Sequence, residues 1–334
     1  MNKRIKHLIK SVANFHRPGG RPNVFLFSAP RSGSTWLMEL IWSQPGFKHC
    51  NEPLNLRNPS VQKYLGITEW RDLCNRDASA ALHNYFSAIC QGRLHFMDPK
   101  PLHGYYRSIT DRIVFKVIHG GEDRLNWFRD TFNGRIVHLL RHPIPVTLSR
   151  ESYPTLDAFL NSEYRRHFTE EQLQYSRKIL DSGTKLDQGV LAWCLQNAVP
   201  LREVSEDWAV VSYEQLVLEP GPVIDYLAAK LSLPKPERMM KRLATPSAVK
   251  AKSDKETQQV LEKETERRSW LIEKWRKKVN EAEERRAMEI LKRFHLDVYN
   301  FGDVLPADWL WIKPRTSADR PMAVLAKPTE MVAG

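Results

Sequence analysis

Residues Val24–Trp42 read VFLFSAPRSGSTWLMELIW, and this stretch decides the fold. The apolar run Val24-Phe25-Leu26-Phe27 has the length and residue types of a parallel strand buried on both faces. A loop of small residues follows, Ser28-Ala29-Pro30-Arg31-Ser32-Gly33-Ser34-Thr35, and then Trp36, Leu37, Leu40 and Ile41 recur at helical spacing. Strand, Gly/Ser loop and helix start make an anion cradle, because backbone N–H groups and the helix dipole converge on one phosphate. Ser34 and Thr35 add hydroxyl donors, and Arg31 adds a charge-assisted fork. The loop departs from the G-x-x-x-x-G-K-[ST] pattern: the first Gly is missing, and Ser34 stands where the Lys belongs. Without a ligand, the same residues read as a strand-to-helix turn with a capping Ser.

Arg135–Ser152, RIVHLLRHPIPVTLSRES, repeats the logic. Ile136–Leu140 is a second buried strand with Arg141 at its carboxyl end, and Pro143 suits the first turn of a helix. If that helix runs through Ser149, Arg141 and Ser149 face one site, at the strand ends where open α/β sheets bind ligands. Two separated anion sites, with no obvious Mg²⁺-binding Asp after a strand, suit a nucleotide with two distant phosphates and no metal.

These stretches together resemble the sulfotransferase family, which uses 3′-phosphoadenosine 5′-phosphosulfate (PAPS). PRSGSTWL is similar to that family's 5′-phosphosulfate loop (Arg31, Ser32, Gly33, Ser34, Thr35), and Arg141 with Ser149 to its 3′-phosphate pair. Val210–Leu216, VVSYEQL around Tyr213, resembles its late strand and turn, which adds Tyr213 to the nucleotide-binding set. The likeness spans about residues 22–301 and is nearest to the carbohydrate, tyrosyl-protein and bacterial branches. It implies an α/β fold with a P-loop-like parallel sheet flanked by helices in a single large domain. A basic N-terminal segment (1–21) precedes that domain and a Pro-rich tail (302–334) follows it.

The strand expected at 47–50 delivers Asn51 and Glu52 to the same sheet edge as the phosphate loop. Sulfuryl transfer needs an acceptor hydroxyl deprotonated in line with the breaking S–O bond, and a nearby carboxylate does this. On the residues alone Glu52-Pro53 is a polar turn; the resemblance makes Glu52 the catalytic base. Ile113–Ile118 is an apolar strand interrupted by Lys116, and a buried lysine is costly unless paired. Lys116 either snorkels at the strand end or reaches the phosphates and the transferring group. His119, just after it, is the alternative base, although a lone His after a strand is usually structural. Arg31 and Lys116 then offset charge on the transferring group.

The rest of the chain supplies context. Its 334 residues carry a net charge of +12, which invites an acidic partner such as nucleic acid, an anionic membrane or glycan, or an anionic cofactor. Cys50, Cys74, Cys90 and Cys194 are scattered without metal-ligand spacing and read as reduced thiols. No run approaches a membrane span and no signal-peptide pattern is present, which makes a cytoplasmic enzyme the expectation. Ile5, Leu8, Ile9, Val12 and Phe15 among basic residues offer a peripheral membrane contact, or an ordinary basic helix on the domain. Helices are expected over 78–89, 122–132, 169–181, 184–204 and 220–231, and a strand over 208–212. Trp70, Phe96, Tyr105 and Tyr106 are candidates for an acceptor pocket, or core. Ser247, Lys250 and Lys252 occupy the place of a basic loop that closes over the nucleotide in the family, and Lys250–Arg293 reads as charged helices packed by one face.

Three functions compete. A sulfotransferase acting on a carbohydrate or glycolipid hydroxyl leads, because the RSGS loop followed by Glu-Pro is similar to the glycan-modifying branches. A small-molecule P-loop kinase lacks its Lys and its Mg²⁺ ligand. A nucleic-acid binder rests on charge alone, and no recognised binding module appears, so no nucleic-acid partner is expected.

Overall fold

The computed structural model describes residues 13–95, 104–243 and 268–313. The apolar run at its centre forms β2 (Asn23–Ser28), the middle strand of a five-stranded sheet. The others are β3 (Phe47–Asn51), β5 (Arg112–Val117), β6 (Gly134–Leu140) and β7 (Ala209–Ser212), in the order β3-β5-β2-β6-β7. Every pairing is parallel. The carboxyl ends of all five strands therefore lie along one edge. A small parallel pair, β1 (Phe15–His16) with β4 (Ile109–Thr110), stands beside this sheet.

Alternation along β2 builds the two faces. Phe25 and Phe27 pack with Phe115, Phe86 and Phe128 under helices Ala78–Cys90 and Leu125–Thr131. The Phe25 and Phe115 rings stack with centroids 4.6 Å apart. Val24 and Leu26 point the other way, with Val114 and Val137, into the cluster of helices Ser34–Trp42 and Pro220–Leu231. A third cluster is centred on helix Lys185–Arg202, which Thr184 and Asp187 start with a reciprocal capping box. Trp193 and Leu191 of that helix are fully buried. At about 25 cal/mol per Å² of apolar surface, a side chain the size of Leu191 contributes roughly 1.5–3 kcal/mol.

The crossover helix expected over 122–132 begins later, at Leu125. Gly120 and Gly121 hold positive φ angles of 135° and 82°, and the Arg124 N–H closes a turn on the Gly121 carbonyl. Arg112, ahead of the expected strand start, is fully buried. It spends its guanidinium on the carbonyls of Pro22, Leu231 and Ser232, which ties β5 to the end of helix Pro220–Leu231. Of the charged stretch, helix Arg268–Glu273 and helix Glu281–Arg293 are described; between them Trp275 is buried against His142. Beyond Phe301, residues 302–313 lie along the domain, where Gln215 exchanges two hydrogen bonds with the Ile312 backbone at 2.7 and 2.9 Å. The expectations for Ile5, Leu8, Ile9 and Val12, for Phe96, and for Ser247, Lys250 and Lys252 fall outside the described residues. No helix among the described residues is long and apolar enough to cross a membrane.

Candidate active site

The sheet register sets the site. Asn51 of β3 lies opposite Lys116 of β5, and Lys116 lies opposite Leu26 of β2. Lys116 points to the face covered by helix Ser34–Trp42. Its Nζ donates to Thr35 Oγ1 at 2.7 Å and to Glu52 Oε1 at 2.8 Å. The strand lysine therefore does what the missing loop lysine would do: it brings a cation to the helix N-terminus from the neighbouring strand. It is 5% exposed, so the pairing with Glu52 is what makes the buried charge tolerable.

Glu52 is fixed from several sides. Its N–H donates to the Lys116 carbonyl at 3.0 Å, its Oε2 accepts from Asn55 Nδ2 at 2.9 Å, and His119 Nε2 stands 3.9 Å from the same oxygen. Burial pushes the Glu52 carboxyl up. The charge and hydrogen bond of Lys116, with His119 and Asn55, outweigh it and hold the group below the ordinary carboxylate range. His119 is pushed down to about 4, first by burial, so it is neutral at pH 7. Its Nδ1 is buried without a partner among the described residues, and its ring centroid lies 5.4 Å from that of Trp70. Trp70 thus lines the Glu52 side of the site, whereas Tyr105 packs with Trp42, ring centroids 6.0 Å apart, in the cluster under helix Ser34–Trp42.

The loop is wound tightly between strand and helix. Arg31 has φ 73° and Gly33 φ 89°, and Glu52 has φ 55°. A non-glycine residue in the left-handed region costs about 1–2 kcal/mol, and such strain concentrates at functional sites. Gly33 is required twice over: besides its φ, a Cβ there would meet Tyr213 Cδ2 at 2.5 Å. Among the described residues Ser32 Oγ and Ser28 Oγ are buried without hydrogen-bond partners, and the first N–H groups of the nine-residue helix Ser34–Trp42 have no partner within it. An anion at the loop fits this set of donors.

Arg141 leaves the end of β6 and closes the other side. Its Nη1 donates to the Arg31 carbonyl at 3.0 Å, and its guanidinium lies 4.1 Å over the Tyr213 ring. Tyr213 begins helix Tyr213–Leu218 directly after β7 and also packs edge-on against Trp36. Buried Glu214 anchors this corner by accepting from the His142 N–H and the Tyr299 hydroxyl, both at 2.9 Å. Loop, Arg141 and Tyr213 form one continuous surface.

Ser149 departs from expectation. The helix after β6 ends at Leu148, and Ser149 is its exposed C-cap, with its hydroxyl donating to the Val146 carbonyl at 2.9 Å. Two prolines in six residues, Pro143 and Pro145, begin a helix too short to carry Ser149 on its side. The Arg31 guanidinium is exposed and has no hydrogen bond or ion pair among the described residues; the backbone carbonyl of Arg31, not its side chain, ties the two halves together. Three residues not singled out from the sequence also belong here: Asn55, which orients Glu52, and Arg57 and Arg150. The only signal for Arg150 was its place beside Ser149.

No family model matches the chain, and no curated protein sequence does. Among solved structures, the chain is similar to the sulfotransferase domain from the Synechococcus PCC 7002 olefin synthase. That likeness has 18% identity and a TM-score of 0.43, covering 85% of this chain and 97% of that one. It is similar to the sulfotransferase domain from the curacin biosynthetic pathway at 19% identity and a TM-score of 0.35, covering 66% and 77%. A likeness to the sulfotransferase STF9 from Mycobacterium avium has 12% identity and a TM-score of 0.34, covering 68% of each chain. At such scores these likenesses carry no argument about activity, which rests on the residues themselves.

Proposed function

We propose that this chain is a sulfotransferase that moves a sulfuryl group from PAPS to an acceptor hydroxyl, with Glu52 as the base. The observation that carries the reading is the Lys116 ammonium bridging Thr35 of the anion loop and Glu52. One cation links the group that would hold the donor to the group that would take the acceptor proton. In this reading the 5′-phosphosulfate lies on the N–H groups and hydroxyls of Ser32–Thr35, and Arg141 with Tyr213 holds the far end of the nucleotide.

A carboxylate paired to Lys116 is a weak base. Lys116 swings its charge toward the oxygen that leaves sulfur, which loosens the pairing and restores basicity to Glu52 as the hydroxyl arrives. The acceptor proton goes to a Glu52 oxygen, the new S–O bond forms, and the electron pair of the broken bond stays on the nucleotide phosphate beside Lys116. His119 and Asn55 hold the carboxylate in place. Neutral His119 is the second candidate for the base.

For the acceptor we infer a carbohydrate or glycolipid hydroxyl. The loop sequence followed by Glu52-Pro53 supports it, and Trp70 beside His119 supports it further, since an indole face suits a sugar ring. A reducing, cytoplasmic setting suits the four free thiols. Transfer of label from PAPS to pooled glycans, glycolipids, phenols and peptides tests the reading. Incorporation into the glycan or glycolipid pools is expected, and incorporation into none of the pools contradicts it.

A further inference from the structure

Arg150 follows the helix after β6 and is 7% exposed. Its guanidinium lies 4.8 Å over the Tyr153 ring, and Nη1 donates to Gln196 Oε1 at 3.2 Å. Among the described residues its Nε and Nη2 meet no acceptor, and no carboxylate lies within salt-bridge distance. Arg57, in the loop that leaves Glu52, approaches from the other side. Its Nη2 donates to Ser152 Oγ at 2.7 Å, and it too has no ion pair among the described residues. The charges of both arginines act on His119, and that of Arg57 acts on Arg150. The two cations therefore border the Glu52–His119 side of the site, away from the Arg141–Tyr213 end. A buried cation without a counterion is costly, and natural structures pair it.

Resting on the sulfotransferase reading, we infer that Arg150 and Arg57 form an anion subsite for the acceptor. The acceptor then carries a carboxylate or similar oxyanion close to the hydroxyl that is modified. The local charge count supports this. Lys116 is spent on Glu52, and Glu122, which also feels Arg150, is pushed up to about 8 by burial and is neutral at pH 7. Among the described residues no carboxylate lies within salt-bridge distance of either arginine, and the Glu52 charge is already answered by Lys116. A guanidinium offers the fork geometry that a carboxylate accepts. Tyr153 and Gln196 keep Arg150 in place: an added Cβ at Gly189 would come within 2.3 Å of the Tyr153 hydroxyl, so ring and helix are in close contact.

The test uses full-length protein saturated with adenosine 3′,5′-bisphosphate and a panel of hydroxy acids with their methyl esters, including uronosides, titrated by ligand-observed NMR. The acids are expected to bind about tenfold or more tighter than their esters, as a charge-assisted pair requires. Arg150→Gln and Arg57→Gln should each bring that ratio toward one while leaving bisphosphate affinity unchanged. Arg150→Lys should keep part of it. Arg57 is exposed, so its variant reads out even where Arg150→Gln fails to fold. A wild-type ratio near one, no binding by any acid, or a ratio that survives both Gln variants overturns the subsite. Acid preference without any sulfuryl transfer keeps the subsite and sinks the proposed activity; transfer to acids and esters alike does the reverse.

Discussion

The two halves of the site are built differently. On the Glu52 side the carboxylate and the lysine are already engaged: Lys116 bridges Thr35 and Glu52, and Asn55 fixes the second carboxylate oxygen. On the Arg141 side one guanidinium lies on a ring and spends a single nitrogen on the Arg31 carbonyl, which leaves most of its donors available. A closed, mutually neutralising cluster is suited to chemistry, since its geometry exists before the ligand arrives. An open cation on an aromatic shelf is suited to capture. The difference predicts that mutations on the two sides affect different constants.

The largest effect should come from the closed half. Glu52→Gln is expected to cut turnover about 10²–10⁴-fold while nucleotide affinity stays within about 0.5 kcal/mol, because the neutral amide still accepts from Lys116. Normal transfer by this variant, measured at saturating donor, would pass the role of base to His119. The pH profile sharpens the point. A base works deprotonated, and both Glu52 and His119 are held low, so activity is lost only as pH falls through that low range. The acid limb of kcat/KM should therefore lie below about pH 4.5. A limb near 6.5 would require a histidine of ordinary pKa.

In the open half, Arg141→Ala should weaken adenosine 3′,5′-bisphosphate by about 1.5–3 kcal/mol, the value of a charge-assisted hydrogen bond, with turnover at saturation little changed. Calorimetric titration checks it, and loss of turnover with unchanged affinity would merge the two halves. The smallest effect is expected at Ser149. Because its hydroxyl is committed to the Val146 carbonyl, Ser149→Ala should change nucleotide affinity by less than about 1 kcal/mol. A loss as large as that of Arg141→Ala would mean the residue turns inward when the nucleotide binds.

The fold was legible where one physical constraint dominated. Strands buried on both faces cannot carry alternating polarity, so Val24–Phe27 and Ile136–Leu140 stood out as apolar runs. Lys116 was legible for the converse reason: a charge inside such a run must have a partner, and the partners are Thr35 and Glu52. Glu52 itself was a polar turn until the family resemblance gave it a role, because nothing local marks a carboxylate as facing Lys116. The place of Ser149 was not legible because it depends on helix length, which Pro143 and Pro145 made ambiguous. Arg57 and Arg150 were invisible: in a chain with 51 lysines and arginines, the burial of Arg150, and the lack of a salt-bridge partner for either among the described residues, are properties of tertiary structure alone.

The central claim is that two separated anion sites, one on the Ser32–Thr35 loop and one at Arg141, define the donor. Side-by-side thermal-shift titrations with adenosine 3′,5′-bisphosphate in chelator and with ATP plus Mg²⁺ test it most directly. Stabilisation by the bisphosphate without metal, at concentrations where Mg²⁺-ATP has little effect, is the predicted result, since ATP offers no 3′-phosphate to Arg141. Stabilisation by Mg²⁺-ATP with none from the bisphosphate would contradict the account and favour a kinase.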